Sequence, residues 1–337
     1  MSNQFTKYTT LLYIVGVLFI IWGILGAMDA KNYTYSGYNL DDNYTVNKIE
    51  KGSPAEMAGL QVGDIVKSTG GIAITDTKAK RNRKRAEIGE TREYVVERSG
   101  EETTLQLTFA GMTDENRNLN SFGNFIGLLF ILLGLFAHRK HKTSLSFSFA
   151  VFALCFGFIF SNGPYISTVF LRTVVNIVST SVVLFSFTYM AIYMLRYPPE
   201  SKFLDNAKNR KLIYVPMILL ILIIIILEAM QTDGSGTLNM VMRLLFGVFI
   251  ICYFGVSVIT LIRKYAKSNS ADRQSNGLNM MLIGTVVGLL PILIYFTINT
   301  ISPGLDLPGN DYVFITFLAI PIFFSLALNQ LYKNAEA

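Results

Sequence analysis

The sequence predicts a polytopic α-helical membrane protein of about eight transmembrane helices, with one extracytoplasmic α+β domain between the first helix and the rest. Three observations carry this. Of 337 residues, 51% are hydrophobic and only 15% charged, and several apolar runs reach the roughly 20 residues needed to cross a bilayer. Only the stretch from about residue 30 to 118 has the charge and polar alternation of a fold made in water, at a length that suits one small domain. Lys and Arg gather in alternate short loops, the pattern that orients membrane helices.

The first element is an anchor over residues 1–30. Lys7 precedes "TTLLYIVGVLFIIWGILGAMDA", whose apolar core of about 20 residues exceeds the roughly 7 to 15 of a cleavable signal, so it is expected to remain as a span. A seven-helix bundle is expected over residues 120–333, its apolar runs beginning near residues 121, 144, 166, 212, 238, 278 and 312. The loops "AHRKHK", "RYPPESKFLDNAKNRK" and "RKYAKSNSADRQ" are basic, whereas "SNGPYIS", "QTDGSGTLN" and "SPGLDLPGND" contain no Lys or Arg. This alternation places both termini in the cytoplasm, the chain in the plasma membrane and the domain over residues 34–112 outside. The net charge of +6 is carried largely by these loops, so the lipid bilayer, and not nucleic acid, is the partner it implies.

The domain can be read residue by residue. In "GSPAEMAGLQVGD", residues 52–64, Ser53 is an N-cap, Pro54 takes the first helical position where its missing N–H costs nothing, and Glu56 completes a capping box. Gly59 then ends the helix. "VGD" turns the chain into the strand "IVKS", Gly70-Gly71 makes the next turn, and "DTKAKRNRKRAEIG" suits a basic helix closed by Gly89. "REYVVERSGEETTLQLTF" is a hairpin about its Ser-Gly pair. Ile49, Leu60, Ile65, Val96, Leu105 and Leu107 are the expected core.

This order of strand, capped helix, Gly-Asp turn, strand, helix and hairpin, with "GSPAEMAGLQVGDIV" inside residues 36–110, resembles the bacterial type of PDZ domain. The resemblance implies that an extended peptide or protein C-terminus is bound as an added strand, its carboxylate held by backbone amides. Those amides would be Gly37, Tyr38, Asn39 and Leu40 in "YSGYNL". The run "KAKRNRKR", residues 78–85, would then line the groove. Lys78, Arg81 and Lys84 either select an acidic or carboxylate-terminated ligand by charge, or belong to a solvated helix face or a patch resting on anionic lipid headgroups.

A domain of this kind beside membrane helices raises intramembrane proteolysis, which needs His-Glu-x-x-His to grip zinc and supply a base. The only histidines, His138 and His141, lie in the hydrophilic loop "AHRKHK" without a third ligand nearby. Nor is there a Gly-x-Ser-x-Gly elbow, a phosphate loop or a pair of intramembrane aspartates. No enzymatic activity, metal or cofactor is expected. Cys155 and Cys252 fall inside apolar runs and read as small hydrophobes rather than as a disulfide.

A charge at the centre of a span costs about 2.5 to 3.5 kcal/mol on insertion scales, so polar residues there are informative. Arg172, Glu228 and Arg243 fall at similar depth, towards the outer ends of their spans, with Asn176 about one turn deeper than Arg172. They are either separate side chains snorkelling to water or a converging site in which Glu228 pairs with one of the arginines.

One anchor, an outer PDZ-like domain and seven more helices resembles the sensor region of the competence-pheromone receptor histidine kinases of Gram-positive bacteria, the ComP-like group. "NGPY" at 162–165, Arg172 in the helix that follows, and "FLAIPIFFSLALNQLYK" near the end are similar to the same parts of that group. The resemblance implies a receptor for an extracellular peptide or envelope signal that relays it to a cytoplasmic kinase or other signalling partner, with a homodimer as one assembly. The family continues into a dimerisation helix with a phosphorylatable His and an ATP-binding domain, whereas this sequence stops at Ala337. The expectation is therefore a sensor module without its kinase, or a relative that signals through a partner. A reading from another class is a membrane-anchored PDZ scaffold or adaptor that recruits exported protein tails to a protease or secretion machine. A transporter ranks below both, because no internal repeat or broken midplane helix is visible.

Overall fold

The computed structural model describes residues 3–41, 43–198, 202–229, 237–301 and 310–336. The expected loops "QTDGSGTLN" and "SPGLDLPGND" lie largely outside the described residues. The chain begins with α1 (Asn3–Asp29) and enters an α+β module. The module holds β1 (Thr34–Tyr35), β2 (Tyr38–Leu40), β3 (Val46–Ile49), α2 (Pro54–Met57), β4 (Ile65–Thr69) and β5 (Ile72–Ala73). It continues through α3 (Thr77–Asn82), β6 (Thr91–Arg98), β7 (Glu101–Thr108) and β8 (Ala110–Gly111). The bundle follows with α4 (Asp114–His141), α5 (Ser144–Phe160), α6 (Val169–Arg196), α7 (Ala207–Ala229) and α8 (Thr237–Lys267). It ends with the short α9 (Ser270–Ser275), α10 (Leu278–Ile301) and α11 (Ala319–Glu336), the last entered through a 3₁₀ stretch, Asn310–Leu318. Seven helices among the described residues are long and apolar enough to cross a membrane, and α5 is apolar over 17 residues. The protein is a polytopic helical membrane protein.

Within the module, β5, β4, β6 and β7 form a four-stranded antiparallel sheet, while β2 pairs with β3 and β1 with β8. Thr34 faces Gly111, so the chain enters and leaves the module side by side. The β6–β7 hairpin turns on Ser99 and Gly100, both at positive φ (53° and 86°), the turn geometry that matches the twist of paired strands. Val46, Leu60, Val66, Tyr94, Val96 and Leu107 fill the core. Ile65, expected inside, is only half-buried, and Val66 takes its place at 0% exposure. Side chains alternate along a strand, and Asp64 is buried on the same face as Val66, so Ile65 must point away.

Local signals set the short helices, and tertiary contacts trim one of them. Ser53 Oγ accepts the Glu56 N–H at 3.3 Å, with Pro54 opening α2. The reciprocal bond of the capping box goes one residue further back, from the Gly52 N–H to Glu56 Oε2 at 2.5 Å. The basic helix expected over 76–89 stops at Asn82. Arg83 turns to extended backbone (φ −80°, ψ 139°), where its guanidinium donates to the Thr69 carbonyl at 2.5 Å. That anchor overrides the helical propensity of "RNRKRAE", and it removes Lys84 from the helix.

In the bundle, α4 and α5 approach most closely. A Cβ on Gly134 would come within 2.7 Å of the Ala153 methyl group, and Gly127 lies against the Gly157 carbonyl. Small residues permit this contact between helices in lipid. Phe130, Phe149, Tyr193 and Phe324 centre one core, and Leu184, Ile213 and Phe249 a second between α6, α7 and α8. Leu12 and Trp22 seat α1 against α5. Outside, Leu18 and Ile24 of α1 and Leu222 and Ile226 of α7 are exposed, the apolar surface that a bilayer covers. Cys155 is buried, whereas Cys252 faces outward with that surface.

The histidines expected in a loop belong to a helix. α4 runs through to His141 and ends on Lys142 in the left-handed conformation. His138 is fully buried, with Nδ1 3.1 Å from Ser146 Oγ and Nε2 3.2 Å from Thr9 Oγ1. His141 Nε2 lies 2.8 Å from Asn329 Oδ1. The two rings thus tie α1, α5 and α11 to the end of α4. Among the described residues no group of three His, Cys, Asp or Glu is placed to hold a metal.

Candidate functional site: the module docked on the helix ends

Polar contacts from α6, α7 and the segment between α5 and α6 fix the module to the bundle. Arg81, in the last turn of α3, forms an ion pair with Glu228 at the end of α7, the two side chains being 31% and 21% exposed. Arg172, in the first turn of α6, donates through Nη2 to the carbonyls of Arg81 and, at 3.1 Å, Arg83. It thereby satisfies carbonyls that the end of α3 leaves open. Between α5 and α6, the Tyr165 hydroxyl donates to the Ala86 carbonyl at 2.7 Å, and its ring lies 5.8 Å from the Arg85 guanidinium and edge-on to Tyr33 at 5.7 Å. The end of α1 joins the same loop, since the Tyr165 N–H donates to Asp29 at 2.5 Å and the Tyr33 hydroxyl to the Gly163 carbonyl at 2.7 Å.

Arg172 and Glu228 thus both reach the module. Of the two readings the sequence leaves open for Glu228, separate snorkelling or pairing with an arginine of the spans, neither names Arg81, with which it forms an ion pair. Arg243 lines, with Glu228, a cavity of about 290 Å³. Asn176, one turn beyond Arg172, lines another cavity with it. Of the basic run, Arg81 is consumed in docking, and Lys84 pairs with Glu87, which holds its ammonium pKa above the ordinary lysine value. Lys78 is exposed on α3. Lys80 sits 5.4 Å over the Tyr44 ring, where burial lowers its pKa.

The predicted amide cradle is an open strand edge. β2 pairs with β3 on one side, and among the described residues no strand pairs with the other. The Glu50 N–H donates to the Gly37 carbonyl at 2.9 Å, so antiparallel alternation turns the N–H and C=O of Tyr38 to the open edge. Gly37 sits at φ +77° against Ser53, where a side chain has no room. The Tyr38 hydroxyl lies 3.2 Å from that of Tyr94, and burial pushes the Tyr38 phenol well above its ordinary value. Residues 37–40, Asn39 and Leu40 included, are absent from the lining of the junction cavities, to which Lys84 and Arg172 belong.

One structural pair was not singled out from the sequence. Asp64, 1% exposed, accepts from Nε and Nη2 of Arg98 at 2.8 Å each, and Nη2 also donates to the Gly59 carbonyl at 2.8 Å. Arg98 holds the Asp64 carboxyl below its usual range. The clamp joins the "GLQVGD" turn to the hairpin, and its signal was an Asp directly before an apolar strand. No model of a known protein family matches this sequence, and no curated protein matches it either.

Proposed function

We propose that the chain is a membrane receptor module. Its α+β unit, PDZ-like and extracytoplasmic, binds the C-terminal end of an extracellular peptide or envelope protein as a strand added to β2. The bundle passes the resulting change to a cytoplasmic kinase or other signalling partner. The observation that carries this reading is the docking of α3 on α6 and α7 through Arg172 and the Arg81–Glu228 pair. Tyr38, Leu40 and Tyr44 share one cluster with Ile74, just ahead of α3, so a strand added at β2 alters what α3 presents to the helix ends. A ligand shifts such an equilibrium only by its differential affinity for the two arrangements, and contacts made or broken by a few side chains supply that difference. The outer placement rests on the alternation of basic loops. An adaptor requires a module that swings on its tethers, and the docking contacts favour a module that is held.

The test is binding of fluorescent random-sequence hexapeptides to the purified chain. Free C-terminal carboxylates are expected to bind about tenfold or more tightly than amidated forms, a difference of about 1.4 kcal/mol. Replacing Lys78 by Gln should weaken acidic peptides most at low salt, where attraction is least screened. Equal binding of free and amidated peptides would remove the proposal.

A further inference from the structure

Two cavities meet at the junction. The first, about 550 Å³, lies between the module and the start of α6 and is strongly basic, with Lys80, Arg83, Lys84, Arg85, Arg92 and Arg172 in its wall. The second, about 480 Å³, shares Tyr33, Arg85 and Arg172 with the first and continues down α6. Its deeper wall sets Phe158, Ile166, Val175, Val183 and Phe246 among a few small polar residues, Asn176 and Ser179 with them. The α6 residues in it, from Arg172 through Val175 and Ser179 to Val183, recur at helical spacing and occupy one face. Thr180, on the same face, turns its hydroxyl back to the Asn176 carbonyl at 2.8 Å, which hides its polarity within the helix. From Arg172 to Val183 the face is about 16 Å long at 1.5 Å per residue, roughly half of a hydrocarbon core of about 30 Å.

Charge decides what the mouth accepts. No Asp or Glu lines either cavity among the described residues. The nearest acids are engaged, Glu87 by Lys84, Glu90 by Arg92, Glu228 by Arg81, and Asp29 by the Tyr165 N–H and Asn32. Arg85 and Arg172 are left close enough to repel each other, an arrangement that an anion seated between them relieves. Trp22, Tyr33 and Tyr165 surround the place where the basic mouth gives way to the apolar cleft, the ring composition of a membrane–water boundary.

We infer that the two cavities together hold one anionic phospholipid, its phosphate between Arg85 and Arg172 and an acyl chain along the α6 face. The lipid would lie against both module and helix ends, so its occupancy would strengthen the docking. This inference goes beyond the peptide reading, since it concerns another ligand at another place and stands even if no peptide binds.

The chain's single tryptophan, Trp22, lines the cleft, so its fluorescence reports the site. Purified full-length chain is placed in zwitterionic micelles and titrated with phospholipids brominated on the acyl chain, which quench tryptophan on contact. Brominated phosphatidylglycerol should quench at a several-fold lower mole fraction than brominated phosphatidylcholine, and R85Q and R172Q should each reduce that preference. R172Q also frees two module carbonyls, so R85Q, which removes a side chain stacked on Tyr165, carries the test if R172Q does not fold. Glycerol phosphate, which has the headgroup anion without the chains, should displace the lipid poorly. Equal quenching by both lipids, a preference unchanged in R85Q, or displacement by glycerol phosphate at the same concentration as intact lipid would each overturn the assignment.

Discussion

Replacing Glu228 by Gln removes the carboxylate that pairs with Arg81, and the size of the effect follows from where the pair sits. Two unit charges about 4 Å apart attract by about 4 kcal/mol at an effective dielectric of 20. Desolvation and the ordering of two long side chains reduce exposed pairs to about 0 to 1 kcal/mol. At 31% and 21% exposure this pair lies between those limits, and a coupling of about 1 to 2 kcal/mol corresponds to about a 5- to 30-fold change in the docked population. Hydrogen exchange of the amides over residues 81–90 in the full chain measures that population. R81Q and E228Q should each speed exchange by this factor, and the double variant should be no faster than either, because the second change finds the pair already broken. The swap R81E with E228R should regain part of the protection. R172Q should also speed exchange, and not in simple addition to R81Q, since Arg172 donates to the Arg81 carbonyl. Additive effects of R81Q and E228Q, with no rescue by the swap, would refute the pair as a docking element.

The fragment over residues 34–112 is expected to unfold cooperatively as a monomer, because β1 and β8 close its ends and its core is its own. In that fragment D64N should cost about 2 to 3 kcal/mol by leaving Arg98 and the Gln61 N–H without their carboxylate. Because the folded Asp64 value is depressed, its stabilisation is present above an unfolded value of about 3.9 and is lost as pH falls through the folded value. Thermal unfolding at pH 7 and at progressively lower pH should therefore show wild type and D64N converging in acid, and a gap that persists unchanged would contradict the clamp. In a background lacking Cys155 and Cys252, an impermeant thiol reagent on intact cells should label K78C and spare K140C and D205C. Labelling of K140C alone would place the module on the cytoplasmic side.

What the sequence reveals here follows the range of the interactions. The spans were legible because lipid demands long uninterrupted apolar runs, and α2 because Ser53, Pro54, Glu56 and Gly59 lie within about two turns of each other. The hairpin was legible from Ser99-Gly100 between alternating residues. The phase of β4 was not, because burying Val66 rather than Ile65 depends on Asp64 finding Arg98 on a strand far along the chain. The length of α3 was misjudged for the same reason, since Arg83 leaves the helix for Thr69. At the site, Arg172 and Glu228 were visible as charges in costly places, yet their true counterparts lie in a segment that reads as an ordinary solvated run. Arg85 and Arg172 come together only when the module is seated on the helices, and no spacing rule reports that.

The central claim, that occupation of the β2 edge is felt at the helix ends, is tested most directly by hydrogen exchange of the full chain with a carboxylate-terminated peptide selected in the binding assay. The account predicts that, over one range of peptide concentration, protection rises at residues 37–40 and changes at residues 81–86 and 169–176, with the distant response lost in E228Q while the peptide still binds. Protection confined to residues 37–40, with the docking segments unchanged at saturation, would contradict it.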